Sequence, residues 1–281
     1  MSKYLVFFII IINIITFSCK KTSKEEKINI QVNTPIKKVE YFNLPSPFEI
    51  NASIDFSDID TTKLTKLKNP QLFTNQQDIA IKTGMYMADL SFLARTSYNN
   101  LLNLYANQIY KMLIILEFPH KQIDSIYEFT EKNIYNYDTM KYFISNLLYQ
   151  VDAYLKNTGQ IKNACQITYG VWIESNYIIL NALKNYKDTN KIHTLLADQY
   201  LVLNNALQYT DTSVLETSMI NNMKELKNMF GELVKFTKIK IKDTLWDTIY
   251  YKTQMEYDIT KAKISKINKK FTTIRNNLIN K

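Results

Sequence analysis

The 281-residue chain is poor in glycine, cysteine, histidine and arginine, and several of these shortages exclude a class of site. Its four glycines, at positions 84, 159, 170 and 231, rule out a glycine-rich phosphate-binding loop. Two histidines and two cysteines cannot build a zinc site that needs several residues of either type. We therefore predict neither a metal nor a cofactor from the sequence.

The net charge of +9 is weak support for nucleic-acid binding because nearly all of it comes from lysine. Only Arg95 and Arg275 are arginines, so 33 of the 35 basic residues are lysine. The joint abundance of Asn, Ile, Lys and Tyr is typical of an AT-rich coding background. Base and phosphate recognition relies on the bidentate guanidinium group, so we expect no nucleic-acid partner. With 46% apolar residues, the chain can bury a sizeable core.

Residues 1–18 have the pattern of an export signal. Lys3 precedes an apolar run from Leu5 to Ile15 that only Asn13 interrupts, and this run is too short to span a membrane. The small residue Ser18 then precedes Cys19, which resembles a bacterial lipoprotein signal. In that family the cysteine becomes the first residue of the mature chain and carries the lipid. The alternatives are an ordinary secretory peptide with a chance cysteine, or an uncleaved anchor.

The residues after Cys19 predict a tether and then a folded domain. Residues 19–43 are rich in Lys, Glu, Thr and Asn and have few apolar anchors, which is typical of a flexible segment. Lys20, directly after the cysteine, indicates sorting to the outer membrane. Residues 44–281 are predicted to form a single helical domain. A capping-box spacing at Ser46–Glu49, with proline at the first helical position, predicts a short opening helix.

From Asn75 onward, apolar residues recur at intervals of three and four, which predicts helices almost throughout. Pro119 ends the second of these helices, and Gly159 ends the fourth. A capping box at Ser213–Glu216 opens the seventh, and the last covers residues 257–278.

One segment departs from the helical pattern. Residues 237–242 alternate with a period of two, and residues 248–253 are β-branched and aromatic, which predicts a short hairpin with a frayed helix as the alternative. The fold class is therefore all-α: a bundle of about eight helices, with one short β-hairpin near residues 237–253.

Two helical segments, Gly84–Phe92 and Gly170–Tyr177, each combine a glycine with aromatic and acidic residues. A glycine inside a helix costs about 1 kcal/mol relative to alanine, so it indicates a packing or functional requirement. One interpretation is that the two helices cross at their glycines and the acids pair inside the bundle. The other is a ligand pocket, since aromatic rings with a few convergent polar groups suit a small ligand. Its predicted lining is Tyr86, Asp89, Trp172, Glu174 and Tyr177.

Four short motifs carry a resemblance over about residues 40–279. They are Leu44–Glu49, Gly84–Phe92, Asn157–Gln160 and Gly170–Glu174, and they look like a group of uncharacterised all-helical lipoproteins of Bacteroidota-type bacteria. The resemblance implies an all-helical lipoprotein of the cell envelope. It implies no activity, because that group has none to carry over.

Three functions stay open from the sequence. The first is a membrane-anchored helical envelope lipoprotein that binds a small ligand or a protein. It would be attached to the outer membrane through the lipid on Cys19 and would face the periplasm or the cell surface. The second is a hydrolase-type enzyme that uses Asp89 and Glu174 as acid and base. The third is a structural envelope protein whose Lys-rich stretch, Lys261–Lys270, faces anionic lipid or glycan, although such a stretch is commonly a solvated helix face.

Overall fold

A computed structural model describes residues 60–95, 98–133, 135–182, 190–208, 210, 212–243 and 248–280. The predicted signal sequence, the lipidation site at Cys19, the tether and the short helix at Ser46–Glu49 lie outside these residues. Within the described ranges the chain forms eight α-helices and one antiparallel hairpin. The predicted all-α bundle with a short hairpin is confirmed.

The elements follow one another along the chain with short connections. The first four helices are α1 (Gln76–Leu93), α2 (Asn99–Ile115), α3 (His120–Asn133) and α4 (Tyr137–Asn157). The others are α5 (Ile161–Ala182), α6 (Asn190–Gln208), α7 (Thr217–Gly231) and α8 (Lys261–Ile279). The strands are β1 (Val234–Asp243) and β2 (Thr248–Tyr257), paired in register from Val234 opposite Tyr257 to Asp243 opposite Thr248. Two 3-10 turns, Thr61–Lys63 and Pro70–Leu72, precede α1.

Helices α1 and α5 form the centre of the bundle. Every residue of α1 from Asp78 to Leu93 is buried, as is nearly all of α5 from Asn163 to Leu180. A helix that is buried on all sides needs apolar residues on all sides, and this explains why neither helix shows a single apolar stripe. The helices α2, α4 and α8 pack around this pair, and α6 and α7 pack on each other beside α8. Among the described helices, none is both long enough and apolar enough to cross a membrane.

The predicted stop at Gly159 has a Schellman geometry. Gly159 adopts φ +81°, which favours glycine, and its amide donates to the carbonyl of Lys156 at 3.2 Å. The amide of Gln160 donates to the carbonyl of Leu155 at 2.7 Å. These two bonds satisfy carbonyls at the end of α4 and turn the chain into α5.

Two predicted helix boundaries are wrong. Helix α7 begins at Thr217, with Glu216 in the cap position, so Ser213 does not cap it. The last helix begins at Lys261, because β2 continues to Tyr257 and Thr260 caps the helix through its side chain. At both boundaries the local sequence pattern favoured an earlier helix start than the one that contacts between distant parts of the chain allow.

Candidate functional site

The glycines Gly84 and Gly170 bring α1 and α5 into backbone contact. A β-carbon added at Gly84 would lie 2.0 Å from the carbonyl oxygen of Ile167, and one added at Gly170 would lie 2.1 Å from that of Ile81. Real β-carbons do not approach a carbonyl so closely, so only glycine fits at either position. This crossing fixes the relative position of the polar side chains one and two turns further along each helix.

The Glu174 carboxylate of α5 forms a bidentate ion pair with the Arg275 guanidinium of α8. Nε of Arg275 donates to Oε2 at 2.7 Å, and Nη2 donates to Oε1 at 2.7 Å. Glu174 is fully buried and Arg275 is 6% exposed. The Tyr177 ring stacks on the same guanidinium, with its centroid 4.0 Å from Cζ. Two of the predicted site residues therefore meet at one cation that the sequence pattern did not reveal.

Asp89, the second predicted acid, lies in the same buried network. Its Oδ2 accepts a hydrogen bond from the Thr65 amide at 3.0 Å, whereas its Oδ1 has no partner among the described residues. Burial and the negative charge of Glu174 raise the pKa of Asp89 well above its ordinary value, and Arg275 opposes this shift only in part. Burial also raises the pKa of Glu174, but the charge and hydrogen bonds of Arg275 oppose it most strongly. A single proton shared by the pair therefore belongs on Asp89, whose second oxygen can then donate.

The network holds an extended stretch of chain, Lys63–Lys68, which we call the strap. Six hydrogen bonds from or to side chains of α1, α2 and α8 bind its main chain. Arg275 donates to the carbonyl of Lys63 at 2.8 Å, and Asp89 accepts from the amide of Thr65 at 3.0 Å. Tyr105 donates to the carbonyl of Thr65 at 2.6 Å, and Gln108 donates to the carbonyl of Lys68 at 2.5 Å. The Tyr86 hydroxyl donates to the carbonyl of Lys66 and accepts from the amide of Lys68, at 3.2 Å each. The bundle thus binds the strap much as a receptor binds an extended peptide.

The tyrosines of the network act as neutral donors. Burial raises the pKa of Tyr86 to about 12, although a hydrogen bond with the Lys68 amide opposes the shift, and burial also raises the pKa of Tyr105. The two rings pack edge to face at 5.9 Å between centroids. Both hydroxyls therefore stay protonated and donate to carbonyls of the strap.

Lys82 is the one buried cation whose ammonium has no hydrogen-bond partner in the described part of the chain. Its side chain is 1% exposed and Nζ is buried. Burial, together with the positive charge of Lys68, lowers the pKa of Lys82 to about 8, while Glu174 opposes the shift. At neutral pH the amine is therefore still mostly protonated, about one pH unit below its titration midpoint.

Trp172 lies apart from the other four predicted residues. Its indole Nε1–H donates to Oε1 of Gln199 in α6 at 2.8 Å, and its ring packs against Phe271 of α8 at 5.3 Å. It is fully buried. The structure thus brings Tyr86, Asp89, Glu174 and Tyr177 together around Arg275 and the strap, and it places Trp172 in an aromatic part of the core.

The two acids do not line a cleft that a substrate could reach. Both are fully buried, Glu174 is held by Arg275, and the strap covers Asp89. A general acid or base must come within hydrogen-bonding distance of its substrate, so this arrangement suits a structural network better than acid–base chemistry. It matches the interpretation in which the helices cross at their glycines and the acids pair inside the bundle.

No known protein family matches the chain, and no curated protein or solved structure matches it either. The resemblance to helical lipoproteins therefore stays a prediction. What a site of this protein can bind has to follow from the chemistry of its own side chains.

A cavity of about 460 Å³ opens between α5, α7 and α8, on a side of the bundle that the sequence did not single out. Its lining combines one phenol, one hydroxyl and three amides with aliphatic side chains: Tyr169, Ser218, Met219, Asn222, Ile274, Asn277, Leu278 and Asn280. None of these side chains carries a charge at neutral pH. The cavity lies within the range of small-molecule pockets, about 300–1,000 Å³.

Tyr169 places a buried polar group beside the cavity. The residue is fully buried, and its hydroxyl has no hydrogen-bond partner among the described residues. Burial raises the pKa of Tyr169, and the Asn222 side chain beside it opposes that shift. The hydroxyl is therefore a neutral donor buried behind the cavity wall, next to Asn222. A tyrosine within an apolar helix gave no sequence signal for this position.

The Lys-rich stretch Lys261–Lys270 largely pairs with acids of the same bundle. Lys266 contacts Glu232 at 3.1 Å, Lys270 contacts Glu225 at 2.5 Å, and Lys263 contacts Asp258 at 3.1 Å. These bridges join α8 to the end of α7 and to the base of the hairpin. Much of the lysine charge is therefore already balanced, which leaves less of it for an external polyanion.

Proposed function

We propose that this protein is a lipid-anchored, non-enzymatic binding module of the bacterial cell envelope, whose ligand occupies the cavity between α5, α7 and α8. The observation that carries the proposal is the cavity itself, which is lined by amides, hydroxyls and aliphatic groups and by no charged side chain. The proposal moves the ligand site away from the predicted constellation around Asp89 and Glu174.

The N-terminal sequence supports the anchoring. The short apolar run, Ser18 and Cys19 fit a lipoprotein signal, and attached acyl chains would contribute about 0.8 kcal/mol for each buried methylene. The predicted tether, residues 19–43, would let the domain stand away from the lipid surface. Lys20 after the cysteine favours the outer membrane.

The lining supports an uncharged ligand. Transferring a charged ligand into a site without a counter-charge is costly, whereas amides and hydroxyls can donate to and accept from a neutral polar molecule. Met219, Ile274 and Leu278 offer apolar contact on the same walls. The expected ligand is therefore a small neutral molecule with both polar and apolar faces.

A thermal-shift panel on the full chain tests the proposal. Its probes are neutral saccharides, blocked dipeptides, carboxylic acids and amines. Three variants go with it. Ser218→Trp fills the cavity from an exposed lining position, and Tyr169→Phe removes only the hydroxyl. Asn221→Trp, at an exposed position of α7 outside the lining, is the matched control.

We expect stabilisation by uncharged probes only, with the shift lost in Ser218→Trp and kept in Asn221→Trp and in Tyr169→Phe, which changes only a buried atom. A shift that survives in Ser218→Trp would place the ligand elsewhere, and the absence of any shift across the panel would reject the proposal. Anchoring has a separate readout, since labelled palmitate should be incorporated into the natural chain and not into Cys19→Ala.

A further inference from the structure

We infer that the outer edge of β2 is a dimerisation surface, which pairs antiparallel with β2 of a second copy about a twofold axis at Gln254. Two hairpins would then form one four-stranded sheet with the order β1–β2–β2–β1. The inference is independent of the proposed ligand site, which lies between helices.

The hairpin extends beyond the support that the helices give it. Each strand has 10 residues, or about 34 Å at the usual rise per residue. The described contacts to the bundle lie at the base, where Phe236 packs against Tyr200 of α6 at 5.9 Å between ring centroids. Asp258, just beyond β2, forms ion pairs with Lys235 and Lys263. A two-stranded sheet is at best marginally stable in water, whereas three or more strands are commonly stable.

Both outer edges of this sheet are unpaired within the described part of the chain. The sheet contains only β1 and β2, and outside the ladder the main-chain bond at the hairpin base joins Asp258 to Leu233. Long unpaired edges invite pairing with another strand, and proteins commonly protect them with lysine.

The two edges differ in how well they are protected. Strand β1 carries lysine at four of its ten positions, 235, 238, 240 and 242, so two copies of β1 would repel each other. Strand β2 carries only Lys252 and one acid, Glu256, among residues that favour strands. The edge of β2 is therefore the one open to pairing.

The sequence of β2 is self-complementary about Gln254. In an antiparallel pairing that places Gln254 opposite its own copy, the position numbers of any two opposed residues sum to 508, because one strand counts up while the other counts down. Lys252 therefore lies opposite Glu256 of the second copy. The same register sets Tyr251 opposite Tyr257 and Thr253 opposite Met255. Opposite charges and aromatic pairs stabilise neighbouring strands, and twofold symmetry forms each of these pairs twice. No other register opposes Lys252 to Glu256. Gln254 and Glu256 are exposed, so their side chains are accessible on that face of the sheet.

Cysteine crosslinking of the full chain in solution tests this register. Opposed residues of antiparallel strands have α-carbons about 4.5–5.5 Å apart, within the range that a disulfide spans. Gln254→Cys should give a covalent dimer on mild oxidation. Glu256→Cys alone should not, since its copies lie four positions apart, but Glu256→Cys co-expressed with Lys252→Cys should. The native Cys19 and the buried Cys165 stay in every variant, so the unsubstituted chain measures background crosslinking.

Charge reversal then separates a specific interface from random collision. In the Gln254→Cys background, Lys252→Glu places a glutamate opposite Glu256 in both symmetric pairs. We expect the yield of crosslinked dimer to fall about tenfold. Adding Glu256→Lys restores the opposite charges and should restore the yield. Equal crosslinking of Gln254→Cys and Glu256→Cys, no dimer with Gln254→Cys, or no rescue by the double reversal would each overturn the inference.

Discussion

Replacing Asp89 with asparagine tests whether the buried network carries a proton. Oδ2 of Asp89 accepts from the Thr65 amide, and Oδ1 is buried with no hydrogen-bond partner among the residues that the structure describes. An asparagine keeps the first interaction through its oxygen and offers an amide where a protonated Oδ1 would donate. Asp89→Asn therefore imitates the protonated acid without changing its shape.

The expected effect depends on pH with a definite sign. Burial and Glu174 raise the pKa of Asp89 well above 3.8 in the folded state, so the folded chain keeps a proton that the unfolded chain has released. The free energy of unfolding of the natural protein then decreases by about 1.4 kcal/mol for each pH unit between 3.8 and the folded pKa. Asp89→Asn lacks this contribution. Its stability advantage should be absent near pH 4 and grow as the pH rises.

Thermal unfolding from pH 4.5 to 8, followed by circular dichroism, measures the difference. For a domain of this size, 1 kcal/mol corresponds to about 2–4 °C, so the melting temperatures should diverge by about 3–5 °C per pH unit. Asp124→Asn, an exposed carboxyl on α3, is the matched control and should not diverge. A constant difference, or one that shrinks with rising pH, would mean that Asp89 is ionised and that the protonated pair is wrong.

Three further changes test the core around the network by thermal or denaturant unfolding. Gly84→Ala and Gly170→Ala should each lower the free energy of unfolding by about 3 kcal/mol or more despite a better helix propensity, because the new methyl would lie close to 2 Å from a carbonyl oxygen. Gly231→Ala should change stability little, because its methyl would face a movable side chain. Equal effects at all three positions would contradict the crossing. Lys82→Met should stabilise the protein below pH 8, where the natural chain must keep a buried ammonium. The advantage should vanish as the pH approaches 10.5, because the amine is then neutral in the folded state and loses its proton in the unfolded state as well. No gain in stability at pH 6 would show that the amine is paired. Trp172→Ala should cost about 3–5 kcal/mol as a core cavity, and a variant that melts normally would return Trp172 to the candidate ligand-binding residues.

The sequence was sufficient for most of the helices, because they follow from local rules, and it offered the crossing as one of two interpretations. Apolar spacing located the helices, Gly159 ended one as the left-handed cap favours, and alternation over 237–242 located the hairpin. Gly84 and Gly170 identified two helices that contact each other, since a glycine inside a helix needs such a reason. The start of α7 was missed because Ser213–Glu216 resembles a capping box, although the helix begins later, at Thr217.

The composition of the site was only half predictable, because its partners are distant in sequence. Glu174 pairs with Arg275 across 101 residues, and Arg275 reaches Thr65 across 210. No periodic pattern links such positions. One signal was present, however: in a chain with 33 lysines, an arginine inside a lysine-rich helix indicates a requirement that lysine cannot meet. The bidentate pair with Glu174, with a third contact to the strap, is that requirement.

The buried ion pair between Glu174 and Arg275 contributes more to aligning the strap on the bundle than to the free energy of unfolding. Taking two charges out of water costs about as much as their attraction returns, so a well-packed apolar pair could be equally stable. An apolar pair, however, would accept the strap in several positions. The guanidinium of Arg275 has its donors in a fixed plane, and after binding Glu174 it can reach the carbonyl of Lys63 and the hydroxyl of Thr65 in one alignment only. That alignment fixes where the strap lies on the bundle.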